Sequence, residues 1–129
     1  MNAIVVDASA LAAVVFQEPG FARVARQLEG AIVHAPALLK YELANVAVTK
    51  ARRQHADAAR IVAALAVALG DRSDINWHDI NASDVALVAI AAGTTAYDAS
   101  YLWLAGSLGA DLVTLDAGLA RAVDSHRAI

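Results

Sequence analysis

Four acidic residues stand where the local pattern would turn a charged side chain toward the interior of a fold. Asp7 follows the apolar run 3–6, and Asp116 follows the apolar run 112–115. Asp98 opens one helical segment, and Glu42 lies inside another. A buried charge is costly unless a cation or a hydrogen bond meets it. If the four acids converge, their repulsion calls for a hard divalent cation with oxygen ligands, and a nucleic-acid phosphate is the matching substrate group.

Each acid also has an explanation that involves no chemistry. Asp7 and Asp116 each precede a helix and are suited to be its N-cap. Asp98 stands three residues after Thr95, as in a capping box. Glu42 is different, because apolar residues flank it at helical spacing and place it beside the buried stripe of its helix. The inward glutamate therefore favours a shared site over independent caps.

The elements that must position these acids alternate along the chain. Short apolar segments at 3–7, 31–34, 75–78 and 112–115 are predicted as strands. Helices are predicted at 9–16 with Ser9 as its N-cap, at 21–28, at 37–53 introduced by Pro36, and at 56–69, 83–92, 97–108 and 117–123. This order predicts an α/β fold, a three-layer α/β/α sandwich with a mainly parallel central sheet. Ligand sites in such sheets form outside the carboxyl ends of the strands, where Asp7 and Asp116 fall.

Composition narrows the class of protein. The 129 residues are enough for one domain, predicted to span 1–129. The absence of cysteine excludes disulfides and thiolate metal sites. The net charge is −3. Without the four acids, 10 basic and 9 acidic residues remain, so the rest of the chain has a charge of +1. This is not the strong positive charge of a broad basic face for nonspecific nucleic-acid binding. No segment reads as an export signal or a membrane span, so we expect a cytoplasmic protein with no membrane partner.

Four segments around the acids resemble the acidic motifs of PIN-domain nucleases, most closely those of VapC-type toxins from bacterial toxin–antitoxin pairs. The segments are Val5-Val6-Asp7-Ala8-Ser9, Tyr41-Glu42-Leu43-Ala44-Asn45, Thr95-Ala96-Tyr97-Asp98-Ala99-Ser100-Tyr101 and Leu112-Val113-Thr114-Leu115-Asp116. They occur in the family's order and at its usual spacing over nearly the whole chain. Four motifs in order are far more specific than any one of them.

The resemblance implies a Mg²⁺-dependent endoribonuclease, with Mn²⁺ as a substitute ion, that leaves 5′-phosphate and 3′-hydroxyl ends on RNA. The residues that match the family's metal-site acids are Asp7, Glu42, Asp98 and Asp116. The residues that match its supporting positions are Thr114, Asn45 and Ser9. Family members often close with a further edge strand, and the four residues His126-Arg127-Ala128-Ile129 leave little chain for one.

The resemblance also implies partners. Together with the high apolar fraction of 59%, it leads us to expect a homodimer and a cognate antitoxin. An apolar groove near Phe16 and Phe21 is the predicted antitoxin site, although both rings also suit the core.

Two other functions are weighed against the nuclease. One is a phospho-acceptor receiver domain; its usual acidic pair after the first strand and its late lysine are both missing, since Asp7 is single and no lysine follows Lys50. The other is a PIN fold that only binds protein or RNA, which would have little reason to keep four repelling acids.

The four histidines show no paired metal-ligand spacing. Tyr97 is the aromatic residue expected nearest the substrate, whereas Trp103 and Tyr101 suit the core.

Overall fold

Four short parallel strands form the centre of the protein. The computed structural model describes residues 2–128. The strands are β1 (Ala3–Val6), β2 (Ile32–Pro36), β3 (Ile75–His78) and β4 (Asp111–Val113). They lie in the order β3-β2-β1-β4, and every pairing between them is parallel. The predicted parallel sheet is confirmed.

Seven α-helices flank this sheet. They are α1 (Ala8–Val15), α2 (Phe21–Leu28), α3 (Leu38–Arg53), α4 (Ala58–Leu69), α5 (Ala82–Ala92), α6 (Ala96–Leu108) and α7 (Ala117–Ala128), with a 3₁₀ turn at His55–Asp57. Helices α1 to α4 contact one another, α5 to α7 contact one another, and α6 packs on β1, β2 and β4. The two groups make the outer layers, which confirms the predicted α/β/α sandwich.

The core lies where β1 meets the helices. Val5 and Val6 of β1 are completely buried, as are Leu39 and Leu43 of α3. A central parallel strand is covered on both faces, so its residues are apolar in a continuous run rather than in alternation. This explains why the segment before Asp7 carries no polar residue.

No single helix among residues 2–128 is long and apolar enough to cross a membrane; α5 and α6 reach that length and composition only as a pair, across a bend of 103°.

The path of the chain changes direction between β1 and β4, which is where open α/β sheets form a ligand crevice. From β1 the chain proceeds outward to β2 and then β3, and it returns to the other side of β1 as β4. The carboxyl ends of strands beside such a reversal frame the ligand crevice of open α/β sheets. Val6 pairs with Val113, so the next residues, Asp7 and Thr114, emerge side by side at this point.

The structure differs from the sequence predictions at several boundaries. Strand β4 ends at Val113 rather than at residue 115, because the Leu115 amide donates to the Ser9 hydroxyl, at 2.9 Å, instead of continuing the strand. The prediction of Ser9 as the N-cap of α1 is wrong, since the Asp7 side chain accepts the capping bond. Pro36 ends β2 rather than opening α3.

The C-terminal helix is longer than predicted. Helix α7 continues to Ala128 instead of ending at residue 123. Residues 126–128 are therefore helical and form no edge strand, and Ile129 lies outside the described residues.

Candidate active site

Asp7 is the most buried and most constrained of the four acids. Its side chain is 5% exposed and sits at the N-cap of α1. Oδ1 accepts hydrogen bonds from the Ala10 amide at 2.9 Å and from the Ser9 hydroxyl at 2.8 Å. Oδ2 accepts a hydrogen bond from the Thr114 hydroxyl. With three donors around it, this carboxylate has one orientation, and it caps a helix while facing the crevice between β1 and β4.

Two hydroxyls tie the segment after β4 to the start of α1. The Ser9 and Thr114 oxygens are 3.3 Å apart, and the Thr114 oxygen also accepts from the Asp116 amide at 3.0 Å. The structure thus places both predicted supporting hydroxyls against Asp7. Because Ser9 also holds the Leu115 amide, the loop that carries Asp116 is fixed from the opposite end of the chain.

Asp116 occupies the rim of the site. Its Oδ1 accepts from the Gly118 amide at 2.7 Å and from the Leu119 amide at 3.1 Å, so it acts as the N-terminal cap of α7. The residue is exposed, in contrast to Asp7. Asp116 can therefore cap α7 and still contribute its charge to the acidic cluster.

A buried tyrosine holds Glu42. Glu42 is half-buried on α3, and the Tyr101 hydroxyl of α6 donates a hydrogen bond to its Oε1. Tyr101 is only 2% exposed, so the prediction of a core residue is right but incomplete. The available signal was spacing, since Tyr101 lies three residues after Asp98 and therefore on the same helix face.

Asp98 stands in the first turn of α6. The Thr95 hydroxyl caps this helix by accepting from the Asp98 amide at 3.1 Å. Among the described residues no donor reaches the Asp98 carboxylate, which is half-buried. It is the acid whose orientation the protein constrains least.

Burial and neighbouring negative charges raise the pKa values of Asp7, Glu42 and Asp98. Burial raises the pKa of Asp7, its three hydrogen bonds oppose the rise, and the charge of Asp116 adds to it. Burial also raises the pKa of Glu42; the Tyr101 hydrogen bond lowers it, and the charges of Asp7 and Asp98 raise it again. The pKa of Asp98 is raised by burial and then by Asp116 and Asp7. All four acids therefore belong to one electrostatic cluster.

The cluster has the oxygen donors of a divalent-cation site, but its side chains are not placed to coordinate one ion. No ion pair within residues 2–128 joins Asp7, Glu42 or Asp98 to a lysine or arginine, so their repulsion is uncompensated by the protein. Oxygen donors of this kind suit Mg²⁺ or Mn²⁺. In the described part of the chain, however, no three acidic or histidine side chains converge closely enough to coordinate one ion. The predicted ligand roles of the four acids therefore stay a prediction.

An open cleft of about 600 Å³ adjoins the cluster at Glu42. Its polar wall includes Asn45, one turn along α3 from Glu42, as the sequence placed it. Two exposed tyrosines, Tyr41 and Tyr97, line the same cleft. The remaining lining is apolar: Ala8, Leu38 and Val46.

One pair of histidines was not anticipated. His34 Nδ1 and His78 Nε2 lie 2.8 Å apart across β2 and β3, a contact that no sequence pattern indicated. The β2–β3 register sets His34 opposite Asn76 and Pro36 opposite His78, which puts the two rings on one face of the sheet. Burial, and then the charge of His78, lowers the pKa of His34.

The comparisons with known proteins agree with this arrangement. The PIN-domain family model matches residues 4–124. PAE2754 from Pyrobaculum aerophilum has a similar crystal structure, with a TM-score of 0.74 and 29% identity over 96% of this chain and 92% of its own. VapC20 of Mycobacterium tuberculosis, described as a sarcin–ricin loop cleaving toxin, shares the fold with a TM-score of 0.66 and 18% identity over 92% of this chain and 94% of its own. Among curated proteins, none matches significantly. A family match over nearly the whole length means that the chain belongs to the PIN-domain family.

Proposed function

We propose that this PIN domain is a Mg²⁺-dependent endoribonuclease, and that Mn²⁺ can replace Mg²⁺. The observation that carries the proposal is the uncompensated acidic cluster around the buried, triply hydrogen-bonded Asp7 at the ligand crevice of the sheet. A protein gains nothing in stability from like charges held together, so a ligand of opposite charge accounts for them best.

Each acid has a distinct part in this proposal. Asp7 and Asp98 are the proposed direct ligands, and Glu42 and Asp116 complete the set. Mg²⁺, when bound, would shield the charge of the scissile phosphate and activate a water. Tyr101 fixes Glu42, while Ser9 and Thr114 fix Asp7, so these neutral side chains orient the carboxylates without adding charge.

The test of this chemistry is metal-dependent cleavage of RNA by the purified chain. We expect cleavage in Mg²⁺ or Mn²⁺, none in EDTA, and recovery when metal is restored. The fragments should carry a 3′-hydroxyl, shown by ligation of an adaptor to that end without prior treatment, and a 5′-phosphate. The variant Asp7→Asn keeps the size of the side chain, removes the charge and should be inactive. Cleavage that persists in EDTA, or in Asp7→Asn, would contradict the mechanism.

The biological role we propose is that of a cytoplasmic toxin held by a cognate antitoxin. The support is the family match together with the fold shared with VapC20, which is described as a toxin. Expression of the chain should arrest growth, and Asp7→Asn should not. Sequencing of the RNA ends that appear on expression of the active chain would identify the target.

The partner surface belongs to the same proposal. Phe21 of α2 is 41% exposed, and Phe16 after α1 is half-buried, which leaves apolar surface for an antitoxin segment beside the first helices. Replacing Phe21 with Ser should free the toxin from a co-expressed antitoxin without reducing cleavage. Light scattering at micromolar concentration should report a dimer; a monomer would overturn that part.

A PIN fold that only binds RNA or protein is the second candidate. It is favoured by the absence, within residues 2–128, of three side chains already placed to coordinate one ion. The cleavage assay separates the two functions, because a binding module retains RNA in Mg²⁺ without shortening it. The receiver-like alternative has no support, since the chain belongs to the PIN family.

A further inference from the structure

The cleft beside Glu42 has two large aromatic walls that the catalytic proposal does not use. Tyr41 is 75% exposed and Tyr97 is 63% exposed, and both line this cleft. The chain has only three tyrosines, and the third, Tyr101, is buried. Two rings that contribute little to the core therefore face the same space of about 600 Å³.

The two tyrosines come from different helices, and each is next to an acid of the cluster. Tyr41 precedes Glu42 on α3, and Tyr97 precedes Asp98 on α6. The hydrogen bond between Tyr101 and Glu42 joins these two helices, and Glu42 itself lines the cleft. A ligand seated between the tyrosines would thus be held within reach of the carboxylates.

The charges around the cleft limit how RNA can be held. No lysine, arginine or histidine is among the described residues that line it, whereas Glu42 is. Attraction between cationic side chains and phosphates is the usual source of nucleic-acid affinity, and it is missing here. Base stacking on aromatic rings is the remaining strong interaction, and it is indifferent to charge because every base has a π-face.

We propose that Tyr41 and Tyr97 form a stacking pair that holds unpaired nucleobases on the substrate RNA beside the acidic cluster. This proposal rests on the proposed function, and it assigns the contact with unpaired bases of the substrate to these two tyrosines. Bases in a duplex are already stacked on their neighbours, so their faces are not free to contact the two rings. The pair thus selects RNA whose bases are splayed, whatever their sequence.

Binding is measured apart from cleavage. The probe is a fluorescein-labelled single-stranded oligoribonucleotide of about six nucleotides, within the range that one such site covers. Anisotropy is recorded in Ca²⁺, with a gel confirming that the RNA stays intact. The same sequence closed into a duplex serves as the structural competitor.

Matched variants of Tyr41 and Tyr97 measure how much each aromatic ring contributes to RNA binding. Tyr41→Ala and Tyr97→Ala should each weaken binding of the single strand about tenfold, since one stacked base contributes about 1–3 kcal/mol. Tyr41→Phe and Tyr97→Phe keep the π-face and should bind as the parent does. Ile90→Ala on α5 removes a side chain that is 79% exposed but outside the cleft, and should have no effect.

The salt dependence of RNA affinity is an independent test of the proposal. Because the cleft lacks cations, the slope of log affinity against log KCl should be no steeper than about −2, which corresponds to fewer than about three phosphate contacts. A steeper slope would show that phosphates outside the cleft carry the affinity and would overturn the proposal.

The outcomes separate this proposal from the one on which it rests. If the single strand binds through the tyrosines but is not cut in Mg²⁺, the stacking pair stands and the nuclease proposal fails. If RNA is cut while both alanine variants bind normally, the stacking pair fails and the nuclease proposal stands. Equal affinity for the single strand and the duplex would also overturn it.

Discussion

At the scale of single residues, the site contrasts three carboxylates that hydrogen bonds hold in place, those of Asp7, Glu42 and Asp116, with the carboxylate of Asp98, which is loosely held. Asp7 is surrounded by three donors, and Glu42 is anchored by Tyr101. No described residue donates to the carboxylate of Asp98. The neutral donors set where the negative charge lies, and the freer carboxylate can adapt to a ligand. The positioning residues are therefore as informative about mechanism as the acids.

Tyr101→Phe tests whether the anchor of Glu42 matters for activity. The ring keeps its place in the core, while the hydrogen bond to Glu42 is lost. Removal of such an orienting partner costs about 10–100-fold in metal affinity or activity. We expect kcat to fall in that range, and excess Mg²⁺ to restore part of it. Trp103→Phe, on the same helix, is the control for a packing change; an equal loss of kcat there would assign the effect to packing.

At the scale of elements, the sequence predicts the strands and helices well and their tertiary contacts poorly. Apolar runs and helical periodicity locate β1 and α3, and the acids at strand ends follow from them. The end of β4 was missed because Leu115 bonds to Ser9, a residue more than a hundred positions away. The His34–His78 and Glu42–Tyr101 pairs were missed for the same reason, since they depend on strand register and on helix packing.

Gly20→Ala tests how the turn before α2 supports the loop that carries Thr114. Gly20 has φ +93°, and an added Cβ would lie 2.9 Å from Leu115 Cδ1. The backbone strain should destabilise the fold by about 1–2 kcal/mol. The contact should in addition displace Leu115 and reduce cleavage several-fold.

Gly30→Ala is the matched control for that experiment. Gly30 has φ +72°, but nothing lies within 4 Å of an added Cβ. Its destabilisation, read from denaturant midpoints, should be similar, and its activity should be unchanged. Equal activity in the two variants would show that the turn does not support the site.

The His34–His78 pair should make the stability of the fold depend on pH. The pKa of His34 is lowered in the folded state, so at acid pH the unfolded chain binds more protons than the folded one. Stability should therefore decline as pH falls through and below the ordinary histidine pKa of 6.5. The variant His34→Gln should lose less stability over this range. Urea midpoints at pH 7.5 and 5.5 measure it, and parallel losses in the two proteins would contradict the assignment.

At the scale of the whole molecule, the acidic cluster lowers the stability of the folded chain when no cation is bound. Mutual repulsion and burial oppose the charged forms of Asp7, Glu42 and Asp98. The cost falls on the folded state, because the acids are apart in the unfolded chain. A bound cation would remove this cost and add its own binding energy to the folded state.

Asp98→Asn separates these two effects. In EDTA the variant should melt at the same temperature as the parent or higher, because one repelling charge is gone. Cleavage should be abolished. At a Mg²⁺ concentration about 100 times the dissociation constant, the parent should gain about 2.7 kcal/mol of stability, and the variant much less. Thermal melts of both proteins with and without Mg²⁺ measure this, and equal metal-induced shifts would remove Asp98 from the metal site.

The position of β4 has a consequence for how the protein is made. β4 begins at Asp111, yet it pairs with β1 and brings Thr114 and Asp116 to Asp7. During translation, Asp7, Glu42 and Asp98 are synthesised before the strand that brings Thr114 and Asp116 to Asp7. A growing chain therefore holds most of its acidic residues without an assembled site. A nuclease of the proposed kind would therefore complete its site only after β4 has been synthesised.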